Sequence, residues 1–197
     1  GDVNGSGPFV GAARDFVHDN LGGWPALHRG QVSVTYPGYP RPRDGESDAG
    51  FRYRKNRDAA HVDGIIGLGT SKRRFVLEPH QFIIGVALNN TDENAAPLTV
   101  WKGSHHIIKR AFEGYANEDL SKTDVTDIYL AARKEVFETC ERTIVHGAAG
   151  SAMVLHRHVL HGVAPWQDGA RADGGGRMIA YFRPLDAGGA RAWCFAR

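Results

Sequence analysis

The stretch His61-Val62-Asp63-Gly64 offers two side chains of the metal-ligand type within three residues. Its imidazole and its carboxylate stand two positions apart, and on an extended segment such side chains point to the same face. A metal ion can therefore take both groups as neighbouring ligands. Because the chain has 10 histidines among 197 residues, one such pair also arises easily by chance, so the remaining sequence has to supply a third ligand.

The third ligand is expected from the segment 150–166, which carries His156, His158 and His161. Two histidines and one carboxylate fill one face of an octahedron around Fe(II) and leave three positions open for substrate and dioxygen. Because all three histidines lie close together, their spacing alone leaves the choice among them open.

Length and composition predict one globular domain over residues 1–197, with residues 1–7 as a flexible start. No apolar run approaches the ~18 residues of a membrane span, and the composition of the first residues does not predict a signal peptide. Cys140 and Cys194 stand far apart, which fits neither a zinc ribbon nor a disulfide framework and favours a cytoplasmic protein. The net charge of +2 is too small to indicate a nucleic-acid partner.

Hydrophobic periodicity predicts few helices and many short strands. Helical spacing occurs over 8–21, after Ser104 as N-cap, and over 123–139. Strands are predicted at 31–36, 51–56, 81–89, 98–101, 143–145, 151–155, 178–182 and 192–195. The strands at 81–89 and 98–101 are expected to form a hairpin. This pattern is typical of a β-sandwich or a jelly roll.

Two groups of residues are candidates for contact with a substrate. Residues 37–58 begin as a Pro-, Gly- and charge-rich loop, which predicts a lid whose Arg52 and Arg54 meet an anionic substrate. The alternative is that these arginines form a solvated basic face. Trp101 and Trp166 could line a substrate pocket, although a Trp at a strand end also serves for packing.

The order of these motifs resembles the phytanoyl-CoA dioxygenase family of Fe(II)- and 2-oxoglutarate-dependent oxygenases. This family carries an HxD, a strand ending in Gly-Ser-His, a Gly-Asp before an apolar strand, a His-Gly and an Arg at the head of a strand. The corresponding positions here are, in order, His61 and Asp63, Gly103-Ser104-His105, Gly150, His161-Gly162 and Arg177. The resemblance covers roughly residues 51–185.

The resemblance implies a mainly β fold, a double-stranded β-helix of the jelly-roll or cupin-like type with a few flanking helices. It implies His61, Asp63 and His161 as ligands of Fe(II), with 2-oxoglutarate and O2 as cosubstrates. It also implies hydroxylation of a C–H bond in a small molecule, with release of succinate and CO2. The carboxylate ligand Asp63 argues against halogenation, because family-like halogenases lack it.

In the family, an arginine after the second histidine binds the far carboxylate of 2-oxoglutarate, and this chain offers two. Arg171 stands ten residues after His161, closer to the usual spacing, but small and glycine residues surround it and leave its backbone loose. Arg177 opens a predicted strand on which Ile179 and Tyr181 share its face, so the fold can aim it inward. We therefore expect Arg177 to bind the cosubstrate.

Four features depart from the family pattern. Ser151 stands where an Asp is usual, Val163 and Trp166 replace polar residues, the loop before Arg177 is longer, and the chain is short for the family. Two alternatives therefore stay open: a metal-binding cupin-type protein that does not use 2-oxoglutarate, and a jelly-roll ligand-binding or sensing protein without turnover. The motifs do not identify the substrate.

Overall fold

The computed structural model describes residues 7–27, 30–115 and 117–195. The start predicted to be flexible thus lies outside the described residues, except for Gly7. Nine strands occur in the described part: β1 (Gln31–Thr35), β2 (Ile65–Leu68), β3 (Arg73–Val76), β4 (Phe82–Ala87), β5 (Leu98–Trp101), β6 (Arg142–Val145), β7 (Ala152–His156), β8 (His161–Val163) and β9 (Arg177–Phe182). Five α-helices accompany them: α1 (Ala12–Asn20), α2 (Asp48–Asn56), α3 (Ser104–Phe112), α4 (Thr126–Thr139) and α5 (Gly189–Phe195). Within these ranges no helix is long and apolar enough to cross a membrane.

The strands pair in antiparallel sheets, so the expectation of a strand-rich chain is confirmed. One sheet has the order β1-β9-β4-β7, a second has the order β6-β5-β8, and β2 pairs with β3. The predicted hairpin over 81–101 is wrong, because β4 and β5 belong to different sheets. The polar segment between these two strands crosses from one sheet to the other.

The two larger sheets share an apolar core. Alternation along the strands turns Ile83 of β4, together with Ile179 and Tyr181 of β9, toward this core. The second sheet contributes Leu98 of β5. Arg177 is also on the buried face of β9, so its side chain lies on the same side of the strand as Ile179 and Tyr181.

Helices cover part of the outer face of each sheet. Val17 of α1 packs against Phe82 and Ile84, which point away from the shared core. Helices α3, α4 and α5 pack over the other sheet in a second apolar cluster that includes Trp101 and Trp193. Burial on both faces makes the strands β4 and β5 the firmest part of the frame around the candidate ligands.

The strand predicted at 51–56 is wrong, because these residues lie in helix α2. The Ser47 hydroxyl accepts a hydrogen bond from the Gly50 N–H at 3.2 Å, which is an N-cap interaction that starts the helix. Arg54 is buried and donates to both carboxylate oxygens of Glu46, at 2.7 and 2.6 Å. Burial in this stretch has helical spacing, since Phe51 and Arg54, three positions apart, are both less exposed than the residues next to Arg54 on its C-terminal side. The role of 37–58 as a lid stays a prediction.

Two smaller expectations are also corrected. The strand predicted at 192–195 is part of α5, whose Trp193 packs edge-on against Phe112 with ring centroids 5.4 Å apart. The N-cap of α3 is Gly103, which has a left-handed φ of 79°, and not Ser104. The Ser104 hydroxyl instead accepts a hydrogen bond from the Leu160 N–H at 2.9 Å, which ties α3 to the segment before β8.

Candidate metal centre

The structure brings His61, Asp63 and His161 together at one point. Each offers one ligand atom, and the three atoms lie within 4.8 Å of one another. Oδ1 of Asp63 is 3.0 Å from Nε2 of His61 and 3.7 Å from Nε2 of His161. The ligand set expected from the sequence is therefore assembled in the fold.

Backbone pairing fixes the distance between the two histidines. The His61 N–H donates to the His161 carbonyl at 2.8 Å, and the His161 N–H donates to the His61 carbonyl at 3.0 Å. Residues paired in this way across an antiparallel bridge lie side by side, and the two ring centroids are 4.7 Å apart. The bridge thus brings together two segments of the site that are far apart in the sequence.

Each imidazole is oriented by a hydrogen bond on the far side of its ring. Nδ1 of His61 lies 3.0 Å from the Ala59 carbonyl oxygen, and Nδ1 of His161 lies 3.0 Å from the Val159 carbonyl oxygen. A carbonyl can only accept, so both Nδ1 atoms carry the hydrogen. Nε2 of each ring is then directed toward Asp63, in the arrangement that metal-binding histidines adopt.

Two helices hold the backbone of the His61 segment from behind. The Tyr129 hydroxyl of α4 accepts a hydrogen bond from the Val62 N–H at 3.1 Å. The Tyr53 hydroxyl of α2 donates to the Ala60 carbonyl at 2.6 Å. Val62 itself is buried in the helix-side core, so alternation along this extended segment turns the side chains on either side of it toward the site.

The turn after Asp63 requires glycine. Gly64 has a left-handed φ of 86°, and a Cβ at this position would collide with the Glu78 carbonyl oxygen. The Gly64 carbonyl accepts hydrogen bonds from the backbone N–H groups of Leu77 and Glu78. Gly64 thus allows the chain after Asp63 to pass close to the segment that follows β3.

The three groups are coupled electrostatically. Burial acts to raise the pKa of Asp63, but the hydrogen bond from His61 and the nearby positive charges outweigh it and hold this pKa well below its ordinary range. Partial burial also disfavours a charged His61, yet its hydrogen bond to Asp63 and the carboxylate charge raise the pKa of this imidazole. Burial, with the charge of His61, lowers the pKa of His161 to about 4. Asp63 is therefore an anion and His161 neutral near pH 7, which are the states that bind metals.

Arg183 belongs to the site and was missed by the sequence reasoning. Its Nε donates to Oδ2 of Asp63 at 2.5 Å, and its Nη1 donates to Oε1 of Gln31 at 3.1 Å. The signal that could have revealed it is the alternation of β9, in which 177, 179 and 181 face inward. The next position of that series is Arg183.

A cavity of about 150 Å³ lies beside the ligand atoms. The His61 side chain is 49% exposed whereas that of His161 is 7% exposed, so the site is open on the His61 side. The residues lining the cavity come from both large sheets and from the segments next to them: Gln31, Ser33, His61, Leu98, His161, Gly162, Val163, Tyr181 and Arg183.

Arg177 is buried on the inner face of β9, as the sequence predicted, whereas Arg171 is exposed. Arg177 stands four positions before Tyr181, which lines the cavity, and this is about 13 Å along a strand. Nη1 of Arg177 is buried without a hydrogen-bond partner among the described residues. A buried guanidinium with an unused donor fits a carboxylate ligand.

The two tryptophans pack in apolar clusters, which is the alternative that the sequence left open. Trp101 is 3% exposed and meets Phe137 edge-on with ring centroids 5.3 Å apart. It follows Leu98 by three positions, so alternation along β5 turns it to the helix side of the sheet. Trp166 packs with Ala95 and Ala96. In the described part of the chain neither indole lines the cavity beside the ligands.

The remaining candidates also lie away from that cavity. Arg52 is exposed on α2, and Arg54 is paired with Glu46 beside a different cavity. His156 lies at the end of β7 and His158 in the turn that follows, where its ring packs against Trp193 at 4.3 Å between centroids. The candidate ligand group contains His161 and neither of these histidines.

Comparisons with known proteins give similar structures but no similar sequence. No protein-family model matches the chain, and no curated protein matches it. SnoK, a non-haem α-ketoglutarate-dependent carbocyclase from nogalamycin biosynthesis, has 14% identity and a TM-score of 0.43 over 81% of this chain and 51% of that one. AviO1 from Streptomyces viridochromogenes Tue57 has 13% identity and a TM-score of 0.46 over 90% and 58%.

A third similar structure contains a metal. OrfP, a non-haem iron oxygenase solved with Fe, succinate and (3S)-hydroxy-L-Arg, has 19% identity and a TM-score of 0.40 over 78% of this chain and 56% of that one. The chain thus spans little more than half the length of the structures it matches. At this low identity, function has to be inferred from the geometry of the site itself.

Proposed function

We propose that this chain is an Fe(II)- and 2-oxoglutarate-dependent oxygenase domain with a double-stranded β-helix fold, similar to the phytanoyl-CoA dioxygenase family. Its reaction is the hydroxylation of a C–H bond in a small molecule. One observation carries the proposal: Nε2 of His61, Oδ1 of Asp63 and Nε2 of His161 converge, and backbone carbonyls orient both rings. This donor set fits Fe(II) and leaves three positions for other ligands.

Some residues of the site would bind the metal, and others orient the side chains that bind it. His61, Asp63 and His161 would hold the metal, and the carbonyls of Ala59 and Val159 keep the imidazoles in the binding tautomer. When bound, Fe(II) with 2-oxoglutarate and O2 supplies the oxidising chemistry and releases succinate and CO2. The buried residues on the His161 side of the cavity limit the access of bulk water there.

Arg177 would bind the far carboxylate of 2-oxoglutarate. Its guanidinium is buried on the inner face of β9 and has an unused donor among the described residues. An arginine fork matches a carboxylate with two parallel hydrogen bonds, which a lysine cannot do. A cupin-type metal protein that does not use 2-oxoglutarate has no need of a guanidinium buried at this place.

The proposal is tested by adding Fe(II) and then 2-oxoglutarate to the protein without oxygen. We expect one iron per chain and a weak visible charge-transfer band when 2-oxoglutarate binds. His61→Ala should lose the band, whereas His146→Ala, an exposed position bonded to Thr91, should keep it. Iron binding and a band that are unchanged in His61→Ala would refute the assignment. A library screen for succinate release then identifies the substrate class.

A further inference from the structure

We propose that Arg183 is a positioning residue that makes Asp63 a one-oxygen ligand of the metal. The inference rests on the proposed function, because it concerns the metal that His61, Asp63 and His161 would hold. It adds a residue outside the ligand set to the site, and it assigns that residue a defined effect on how many coordination positions stay open.

The two oxygens of Asp63 have different partners. Oδ1 faces both histidines, at 3.0 Å from His61 and 3.7 Å from His161. Oδ2 accepts a hydrogen bond from Nε of Arg183 at 2.5 Å. A charge-assisted hydrogen bond of this length is strong, so it holds Oδ2 away from the metal position. A carboxylate that is free to rotate could instead bind through both oxygens and occupy a further position.

The guanidinium of Arg183 is itself held on several sides. Nη1 donates to Oε1 of Gln31 at 3.1 Å, which ties it to the first residue of β1. Its central carbon lies 4.9 Å from the centre of the Tyr181 ring, within cation–π range. Because Gln31 and Tyr181 are paired neighbours on β1 and β9, these contacts come from the rigid sheet and not from a loop. The group is thus prepared before a metal binds.

The shape of arginine matters here as well as its charge. Nε and Nη1 point in fixed directions and reach two acceptors on different segments at once, Asp63 and Gln31. A lysine keeps the charge but offers one ammonium group on a flexible stem. Arg183→Lys should therefore keep part of the effect, and Arg183→Met, which has a similar length but no donor, should lose it.

The test uses Co(II), whose visible spectrum reports the number of its ligands, followed by titration with 2-oxoglutarate. In Arg183→Met we expect Co(II) still to bind, with a changed spectrum, and 2-oxoglutarate affinity to fall by roughly tenfold to a hundredfold. Arg183→Lys should fall between the wild type and Arg183→Met. Arg171→Met, at an exposed arginine, is the matched control and should behave as the wild type.

A spectrum and a 2-oxoglutarate affinity within twofold of the wild type in Arg183→Met would overturn the inference and leave Arg183 a merely structural residue. If Arg183→Met fails to fold, Gln31→Leu decides, because Gln31 is exposed and supports Arg183 directly. It should shift the spectrum in the same direction by a smaller amount, and no shift would overturn the inference. A wild-type protein that binds no Co(II) at all would refute the proposed function, and the inference with it.

Discussion

Two residues with unusual backbone angles, just before His61 in the chain, position it at the site. Asp58 and Ala59 both have a φ of 53°, in the left-handed region that residues with a Cβ rarely adopt. The Asp58 carboxylate pairs with Nε of Arg142 at 2.5 Å, and its carbonyl accepts a hydrogen bond from the Val163 N–H at 2.8 Å. Such conformations persist where the surroundings hold them, and they cluster at functional sites. The local sequence contains no glycine that would have indicated this turn.

The glycine after His161, Gly162, allows the backbone at Asp58 to pass close to β8. A Cβ at Gly162 would collide with the Asp58 carbonyl oxygen, and because that atom is backbone it cannot rotate away. We predict that Gly162→Ala destabilises the protein by about 2–3 kcal/mol and weakens metal binding. Gly114→Ala, where a Cβ meets nothing within 4 Å, is the control for urea unfolding and metal titration. Equal stability of the two variants would contradict this explanation of the His-Gly pair.

The two arginines after His161 give the next prediction. Arg177→Ala should abolish measurable 2-oxoglutarate binding while iron stays bound, because losing a buried partner of a carboxylate costs on the order of 3 kcal/mol, above a hundredfold in affinity. Arg171→Ala should change the affinity only slightly, because Arg171 is exposed. Calorimetric titration measures both. The reverse pattern would give the role to Arg171.

Much of the candidate site could be predicted at this scale, because its residues stand in recognisable local patterns. The HxD, the His-Gly pair and Arg177 at a strand start are each visible in the sequence. Arg183 was missed because its partner Asp63 lies in a distant segment, and only the fold brings the two together. Contacts between remote segments depend on strand register, which the sequence does not state.

At the scale of elements, helix α4 supports the ligand segment through one hydroxyl group. Tyr129 is fully buried, and its hydroxyl accepts the hydrogen bond of the Val62 N–H. Tyr129→Phe leaves that N–H buried without a partner, which costs about 1–3 kcal/mol of stability. We also predict weaker metal binding, because Val62 joins the two ligands of the HxD. Tyr36→Phe, at a residue that is 62% exposed, should change neither quantity in unfolding and metal titrations.

Elements with a strong pattern were predicted well, and short ambiguous ones were not. Strands β4 and β5 could be predicted because both are buried and their sequences are therefore strongly apolar. Helix α2 was mistaken for a strand because so short a run does not distinguish the strand period from the helix period. The Ser47 cap was the overlooked signal. The false hairpin shows that neighbours in sequence need not pair in space.

At the scale of the whole molecule, a buried histidine makes stability depend on pH. Burial, with the charges of His156 and Arg157, lowers the pKa of His158 from 6.5 to about 2. Below pH 6.5 His158 binds a proton in the unfolded chain but stays neutral in the folded chain. The free energy of unfolding therefore falls as the pH falls, by up to about 1.4 kcal/mol per pH unit for this one group.

His158→Phe should remove this contribution while still packing against Trp193. Between pH 7 and pH 5, urea unfolding should show a smaller loss of stability in the variant than in the wild type. The other histidines with lowered pKa values contribute to both proteins and cancel in the comparison. An equal loss in both would show that His158 is not kept neutral in the folded chain.

The central claim, that three side chains from two distant segments form one metal site, is tested most directly by anomalous X-ray diffraction from crystals grown with Mn(II). Mn(II) suits the same nitrogen and oxygen ligands and is not readily oxidised. The geometry predicts one strong anomalous peak bonded to Nε2 of His61, Oδ1 of Asp63 and Nε2 of His161, with Oδ2 of Asp63 still on Arg183. No peak at that point, or a peak held instead by His105 and His156, whose rings lie 4.9 Å apart elsewhere in the fold, would contradict it.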